Sequence, residues 1–172
     1  NTLVRWILEG CAEAGAETEI INIIDYSIEY CRGCHRCLRE GRCHIPDDYH
    51  TVFEKLMAAD GIVVGSPVYE GMPTAQLKTL LDRMTLLNLY AATFSGKLSV
   101  GVATSGIAPT RGTARTAAGM FGAVVGIIGA KTATLKGGMK HLEERHHPKL
   151  PGKARKLGRK LVGRVDRKST RL

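Results

Sequence analysis

Gly61-Ile62-Val63-Val64-Gly65-Ser66-Pro67-Val68-Tyr69-Glu70-Gly71-Met72-Pro73 is the stretch that decides the fold. It opens as a short, unbroken apolar run and ends in a turn-forming segment of Gly, Pro and Tyr. An apolar run of that length predicts a strand buried on both faces, the kind that parallel sheets use. Upstream, Asp47 and Asp48 open a helix that continues through Val52, Leu56 and Met57, acids being favourable at a helix start. Downstream, a long helix is expected from about Thr74 to Tyr90, followed by a strand at Leu98-Ser-Val-Gly-Val-Ala103. A Gly/Ser/Thr/Pro loop, a helix from about Gly112 and a strand near Ile127 to Thr134 come next. At the N-terminal side, Leu3, Val4, Ile7, Leu8 and Cys11 form a helical stripe that ends near Gly15, and Glu17 to Ile24 reads as an isoleucine-rich strand. Apolar strands alternating with amphipathic helices predict an α/β, doubly wound domain around a parallel sheet. No internal repeat and no linker divides it.

Composition narrows the function classes. The 172 residues include 44% hydrophobic ones and 20 glycines, enough for one domain with a proper core. No run approaches the length of a membrane span and no charged-then-apolar leader opens the chain, so a cytoplasmic protein without a membrane partner is expected. The net charge of +9 is concentrated: residues 145–172 carry eleven Lys or Arg against the single acid Asp166, a balance of +10 that leaves −1 for the rest. Within that segment Leu157, Leu161 and Val165 fall at i, i+4, i+8, the spacing of one helical stripe. A final helix docking that stripe, with its charges solvated, is preferred to a nucleic-acid arm, because no aromatic residue interleaves the charges to stack bases. The chain is accordingly divided into a domain over residues 1–140 and a basic C-terminal helix or tail over residues 141–172.

The second chemical signal is Cys31-x2-Cys34-x2-Cys37-x5-Cys43. Three thiolates on one tight loop with a fourth close behind suit an iron–sulfur cluster whose irons each need a sulfur ligand. Zinc more often takes two separated Cys-x2-Cys knuckles, and metal-free thiols remain the third option. Crowded cysteines of this kind fit a reducing compartment rather than a disulfide framework, and Cys11, in an apolar helical pattern, is expected to be buried and inert. In a doubly wound fold, ligands bind beyond the carboxyl ends of the strands. Three strand-following loops should therefore converge on one rim: the cysteine loop, Gly65 to Pro73, and Thr104-Ser-Gly-Ile-Ala-Pro-Thr-Arg-Gly112. Pro67 fixes the backbone, the glycines permit close approach to a flat ring, and Tyr69 offers a face for stacking, a combination that suits a flavin.

Here the residues carry a resemblance. Ala59-Asp-Gly-Ile-Val-Val-Gly-Ser-Pro-Val-Tyr-Glu-Gly71, followed by Gln76-Leu-Lys78 and Leu81-Asp-Arg83, resembles the signature of the flavodoxin-like NAD(P)H-dependent FMN reductase family. The four cysteines resemble the compact motif of its iron–sulfur flavoprotein branch. The resemblance runs to about Gly138 and leaves out the basic tail. It implies a flavodoxin-like sheet of order 2-1-3-4-5 and FMN at the strand ends. Pro67, Val68, Tyr69 and Gly71 would line the flavin ring, and Thr104, Ser105 and Gly106 would touch its edge. Cys31, Cys34, Cys37 and Cys43 would hold a [4Fe–4S] cluster, and the protein would assemble as a homodimer or homotetramer. Family members begin with an apolar strand and a loop of the type Gly-Ser-Pro-Arg-x-x-Gly-Asn-Thr that cradles the FMN phosphate at a helix N-terminus. Only its last two residues, Asn1 and Thr2, stand in this sequence, where they are phosphate ligands by resemblance. The first, central strand is therefore expected to be missing from a fragment short of roughly ten to fifteen residues.

The expected function is that of an FMN-dependent electron-transfer oxidoreductase, with NAD(P)H as possible donor and a small molecule or protein such as a quinone or ferredoxin as partner. FMN exchanges electrons in pairs or singly and a cluster carries one at a time, so no side chain is expected to act as nucleophile or base. Arg32, Arg36, Arg39 and Arg42 surround the cysteines and would lend a positive field that favours a reduced cluster. Two rivals stand beside this reading: a plain NAD(P)H-dependent FMN or quinone reductase without a cluster, and a non-enzymatic binding module with a zinc loop.

Overall fold

A computed structural model describes residues 1–106, 110–131, 133–134, 138–139 and 147–169. The helices are α1 (Thr2–Ala12), α2 (Arg36–Glu40), α3 (Tyr49–Ala58), α4 (Ala75–Ala91), α5 (Arg111–Gly119) and α6 (Leu150–Ser169). The strands are β1 (Gly61–Tyr69), β2 (Met72–Pro73), β3 (Leu98–Ser105), β4 (Ala123–Lys131) and a short antiparallel pair, β5 (Ala133–Thr134) with β6 (Gly138–Met139). The main sheet has the order β2-β1-β3-β4, with β1, β3 and β4 parallel and β2 antiparallel to β1. This is the α/β architecture that the alternating pattern predicts. The full order 2-1-3-4-5 is not present among the described residues, where β1 is flanked by β3 on one side and only by the two-residue β2 on the other.

Both faces of the sheet are covered, and the residues show why. β3 is buried along almost its whole length, as an unbroken apolar strand must be when helices lie on either side. On one face, Ile62 and Val64 meet Tyr49 and Val52 of α3 and Leu77, Leu80 and Met84 of α4, with Phe94 and Phe121 closing the cluster. On the other face, Val100, Val102 and Val125 meet Leu3, Trp6 and Ile7 of α1 and Ala154 and Leu161 of α6. The side chain of Thr74 caps α4 by accepting from the Leu77 amide, and Lys97 closes α3 by donating to the carbonyls of Met57 (2.7 Å) and Ala59 (2.6 Å).

The expected strand Glu17 to Ile24 does not form. The segment lies in no ladder and ends in a 3-10 turn, Ile23–Asp25. Isoleucine enrichment marks a chain that fits a pleated surface, but a strand also needs a neighbouring backbone, and none of the described strands runs beside this segment. Ile21 and Ile23 instead pack against the α3 and α4 cluster, and Glu19 pairs with Lys55.

The basic segment is the helix α6, and its stripe docks as the periodicity predicts: Leu157, Leu161 and Val165 join the α1 cluster. The α1–α6 crossing is close because two glycines face it. A Cβ on Gly158 would overlap the Ile7 carbonyl oxygen and lie 2.8 Å from the Cys11 nitrogen, and one on Gly10 would overlap the Arg155 carbonyl. Arg155 pairs with Glu9 at 2.7 Å and Arg159 pairs with Glu13, but these side chains are a third to a half exposed, where such pairs contribute about 0–1 kcal/mol each. Close packing therefore outweighs charge in holding α6. Gly158→Ala is expected to cost about 1–3 kcal/mol in urea unfolding, whereas Arg155→Ala costs no more than about 1 kcal/mol; equal losses would contradict the close crossing.

Candidate functional site

The strand ends form the first half of the site. β1 continues past Ser66 to Tyr69, so the expected Gly65–Pro73 loop is instead a hairpin into β2. Its two turn residues, Glu70 and Gly71, both have positive φ (49° and 77°), the geometry of a tight I′-type turn. Ser66 stabilises the hairpin: its hydroxyl accepts from the Thr74 amide at 3.0 Å and donates to the Pro67 carbonyl at 2.8 Å. Thr113 of α5 donates to the Gly71 carbonyl at 2.8 Å, tying the helix after β3 to this turn. Parallel register sets Pro67 beside Thr104, and Thr104 in turn beside Ala130. The start of α1 reaches the same rim, for Val4 covers Gly65 closely enough that a Cβ there would lie 2.5 Å from it.

Most residues expected to touch the flavin are gathered at this rim. Pro67, Tyr69 and Gly71 are exposed, and Thr104 and Gly106 are half-buried. Val68 differs, because strand alternation turns its side chain to the opposite face, into a cluster with Ala103 and Ala114, so only its backbone faces the rim. The Ser105 side chain is likewise buried. Asn1 and Thr2 are exposed at the start of α1, and the Asn1 amide donates to Asn22 Oδ1 at 2.7 Å rather than capping its own helix.

The cysteine loop is the second half. Its two ends are pinned together at a neck. The Ser27 amide donates to Asp48 Oδ2 (2.7 Å), the Asp48 amide to the Ser27 carbonyl (3.1 Å), and the Glu29 amide to Asp47 Oδ2 (2.7 Å). Arg83 of α4 closes the neck from below. It forks onto Asp47 at 2.7 and 3.1 Å, donates to the Glu29 carbonyl at 2.8 Å, and lies over the Tyr49 ring at 4.5 Å. Above the neck the chain turns through His35, Gly33 and Gly41, all at positive φ, and enters the single-turn helix α2. Cys31, Cys34, Cys37 and Cys43 all line one pocket, whose floor is Asp82, Arg83 and Leu86.

All four are free thiols, as is the buried Cys11, whose pKa burial raises as expected of an inert thiol. Cys34 Sγ lies 3.6 Å from His44 Nδ1. Burial and then the neighbouring Cys43, Cys31 and Cys34 push the Cys37 thiol up. Among the described residues no three His, Cys, Asp or Glu side chains stand in metal-binding geometry. The pocket thus offers a soft four-sulfur donor set, which fits a thiophilic metal or cluster in chemistry, without gathering it into a coordination shell.

One expectation about this loop needs correction: it follows no strand, and its pocket sits against Asp82 to Leu86, about 12 Å along α4 from the helix start at the hairpin. Of its four arginines, Arg36 is tied to Glu40 at 2.9 Å. Sequence reasoning read Asp47 and Asp48 as helix-start acids and Arg83 as part of a signature; neither was seen as loop machinery. The available signal was position, for Arg83 stands three residues after Leu80 and four before Leu87 on the buried stripe of α4.

A family profile described as NADPH-dependent FMN reductase matches residues 1–139. The chain belongs to that family. Iron-sulfur flavoproteins of Methanocaldococcus jannaschii and Archaeoglobus fulgidus are 42% and 38% identical to this FMN reductase family member over 107 and 105 residues, 60% and 61% of this chain. One from Methanosarcina thermophila is 42% identical over 98 residues, 57% of this chain. The matches cover 55%, 52% and 50% of those proteins, so the chain spans about half the length of the curated relatives it matches. Among solved structures, a flavone reductase superposes with a TM-score of 0.67 at 19% identity, covering 95% of this chain and 57% of that one. An archaeal flavodoxin gives 0.56 at 14% identity, covering 96% and 90%. These likenesses show a flavodoxin-like fold. No helix of the described residues is long and apolar enough to cross a membrane.

The buried ion pair generates a pH prediction. Burial alone would raise the Asp47 carboxyl, but the Arg83 fork and the Glu29 and Tyr49 amides outweigh it and hold the carboxyl below its ordinary value. A carboxyl depressed in the folded state contributes stability above its unfolded pKa of about 3.9 and loses it as pH falls through the folded value. Urea unfolding is therefore expected to weaken steeply below about pH 4, and Asp47→Asn to flatten that slope by about one proton while costing about 3–5 kcal/mol at pH 7. An unchanged slope in the variant would remove Asp47 as the cause.

Proposed function

We propose that this chain is the core of an FMN-dependent electron-transfer oxidoreductase, with a [4Fe–4S] cluster held by Cys31, Cys34, Cys37 and Cys43. The observation that carries the reading is the single pocket lined by all four free thiols, on the same molecule as the exposed Pro67–Tyr69 strand end. When bound, FMN and such a cluster supply two-electron and one-electron chemistry respectively, which suits a relay between NAD(P)H and a quinone- or ferredoxin-like acceptor.

The chain's own residues would bind and orient rather than transfer protons. Tyr69 offers an exposed ring for stacking, and Pro67 and Gly71 leave the backbone open beside it. Thr104 and Gly106 stand one strand away, where hydroxyl and amide groups can meet the polar edge of a flavin. Asn1, Thr2 and the first amides of α1 would meet the phosphate end. The names of the relatives support the cluster. A second reading, a plain NAD(P)H-dependent FMN or quinone reductase, draws on the description of the family itself. Assembly as a homodimer or homotetramer belongs to the same proposal.

Anaerobic purification of the full-length protein, with iron, acid-labile sulfide, zinc and flavin assays, decides among these readings. About four iron and four sulfide per chain together with FMN are expected, and Cys37→Ser is expected to lose the iron while keeping the flavin. FMN without sulfide would leave the plain reductase, and zinc without flavin would leave a binding module. Tyr69→Ala should weaken FMN binding by roughly 0.5–1.5 kcal/mol in a fluorescence titration, the scale of an aromatic contact.

A further inference from the structure

Arg83 is an unusual residue to find where it is. Its side chain has no exposed surface, and Asp47, its carboxylate partner, is 7% exposed. Buried pairs of this kind are poor stabilisers compared with apolar residues of the same volume, so their presence calls for a local role. Three of the guanidinium's contacts define one. It holds the Glu29 carbonyl two residues before Cys31 and the Asp47 carboxylate four residues after Cys43, which are the two ends of the cysteine loop. It also lines the cysteine pocket, where the Cys43 sulfur is one of the groups that hold its charge. Among the described residues its buried Nε–H has no hydrogen-bond partner.

We propose that Arg83 is the positioning residue of the cysteine pocket, clamping both ends of the loop with its fork and setting its fixed charge beside the Cys43 sulfur. The proposal rests on the cluster reading above. Hydrogen bonds and positive charge at ligand sulfurs favour the more negative, reduced state of a cluster, and partners of this kind also govern how firmly metal is held. Arg32, Arg36, Arg39 and Arg42 sit on the loop itself, whereas Arg83 comes from the rigid helix beneath it.

The test uses the full-length, cluster-loaded protein and two variants. Arg83→Met removes charge and fork, whereas Arg83→Lys keeps the charge and loses the fork. Electron paramagnetic resonance during a redox titration reads the cluster midpoint, optical bands in the same titration read the flavin, and an iron chelator reads cluster release. Arg83→Met is expected to move the cluster midpoint negative with the flavin midpoint unmoved, and both variants to release iron about 10–100-fold faster. Arg83→Lys should keep a midpoint near wild type. If Arg83→Met fails to fold, Arg83→Lys still decides the clamp, because wild-type release would overturn it. Wild-type midpoint and release in both variants would overturn the proposal while leaving the cluster reading intact. A wild-type protein without iron and sulfide would overturn both.

Discussion

A guanidinium with no surface in contact with water stays charged only if the protein replaces its hydration, and Arg83 meets that need through Asp47, the Glu29 carbonyl and the Tyr49 ring. Burial pulls its pKa down, while the Asp47 hydrogen bond and the charges of Cys43 and Asp47 more than offset that pull. The geometry of the cysteine loop depends on this arrangement. The loop has little core of its own, with Cys31 and Cys34 exposed and only Ile45 fully buried near its end. What closes it is the set of bonds from Ser27 and Glu29 to Asp47 and Asp48, and that set is anchored to the domain by Arg83. Removing one partner of a buried pair costs about 3–5 kcal/mol, far more than any exposed pair in this chain can contribute.

The rim is built differently, by register rather than by charge. Parallel pairing of Gly61 to Pro67 with Leu98 to Thr104 fixes which residues end side by side, and the Ser66 and Thr113 hydroxyls then fold the hairpin back onto α5. A one-residue slip would exchange Val68 for Pro67 and Tyr69 at the rim, exposing an apolar core residue. The packing of Val68 against Ala103 and Ala114 opposes that slip.

How much of this could be read from the sequence follows the same division. The runs at Gly61 and Leu98 announce buried strands because an apolar run has few other uses, and α4 was placed within a residue of Ala75–Ala91 by Pro73 and the capping Thr74. The stripe of α6 was legible for the same reason, since periodicity reports a face directly. Glu17 to Ile24 was not, because composition reports propensity and says nothing of whether a partner strand lies beside it. Tyr69 was assigned to a loop because Pro and Gly mark turns, yet the strand runs through Pro67, and the turn needs only Glu70 and Gly71. In the site, the cysteines named themselves by spacing. Their anchor did not, for Asp47 and Arg83 are 36 residues apart and each has an ordinary local explanation.

The placement of the pocket on α4 changes how the two halves of the site are related. If the cysteine loop merely followed a strand to the rim, its position would depend on the flexibility of that loop. Instead, one helix begins at the hairpin that carries Pro67 and Tyr69, and its middle turn supplies the floor beneath the four sulfurs. α4 is packed along its length by Leu77, Leu80, Leu81, Met84 and Leu87, so the separation between rim and pocket is set by the rise of a buried helix. Arg83 sits on that helix one residue before the fully buried Met84, and its fork inherits the helix's rigidity. The helix is thus the element of this fold that fixes the cysteine pocket relative to the rim.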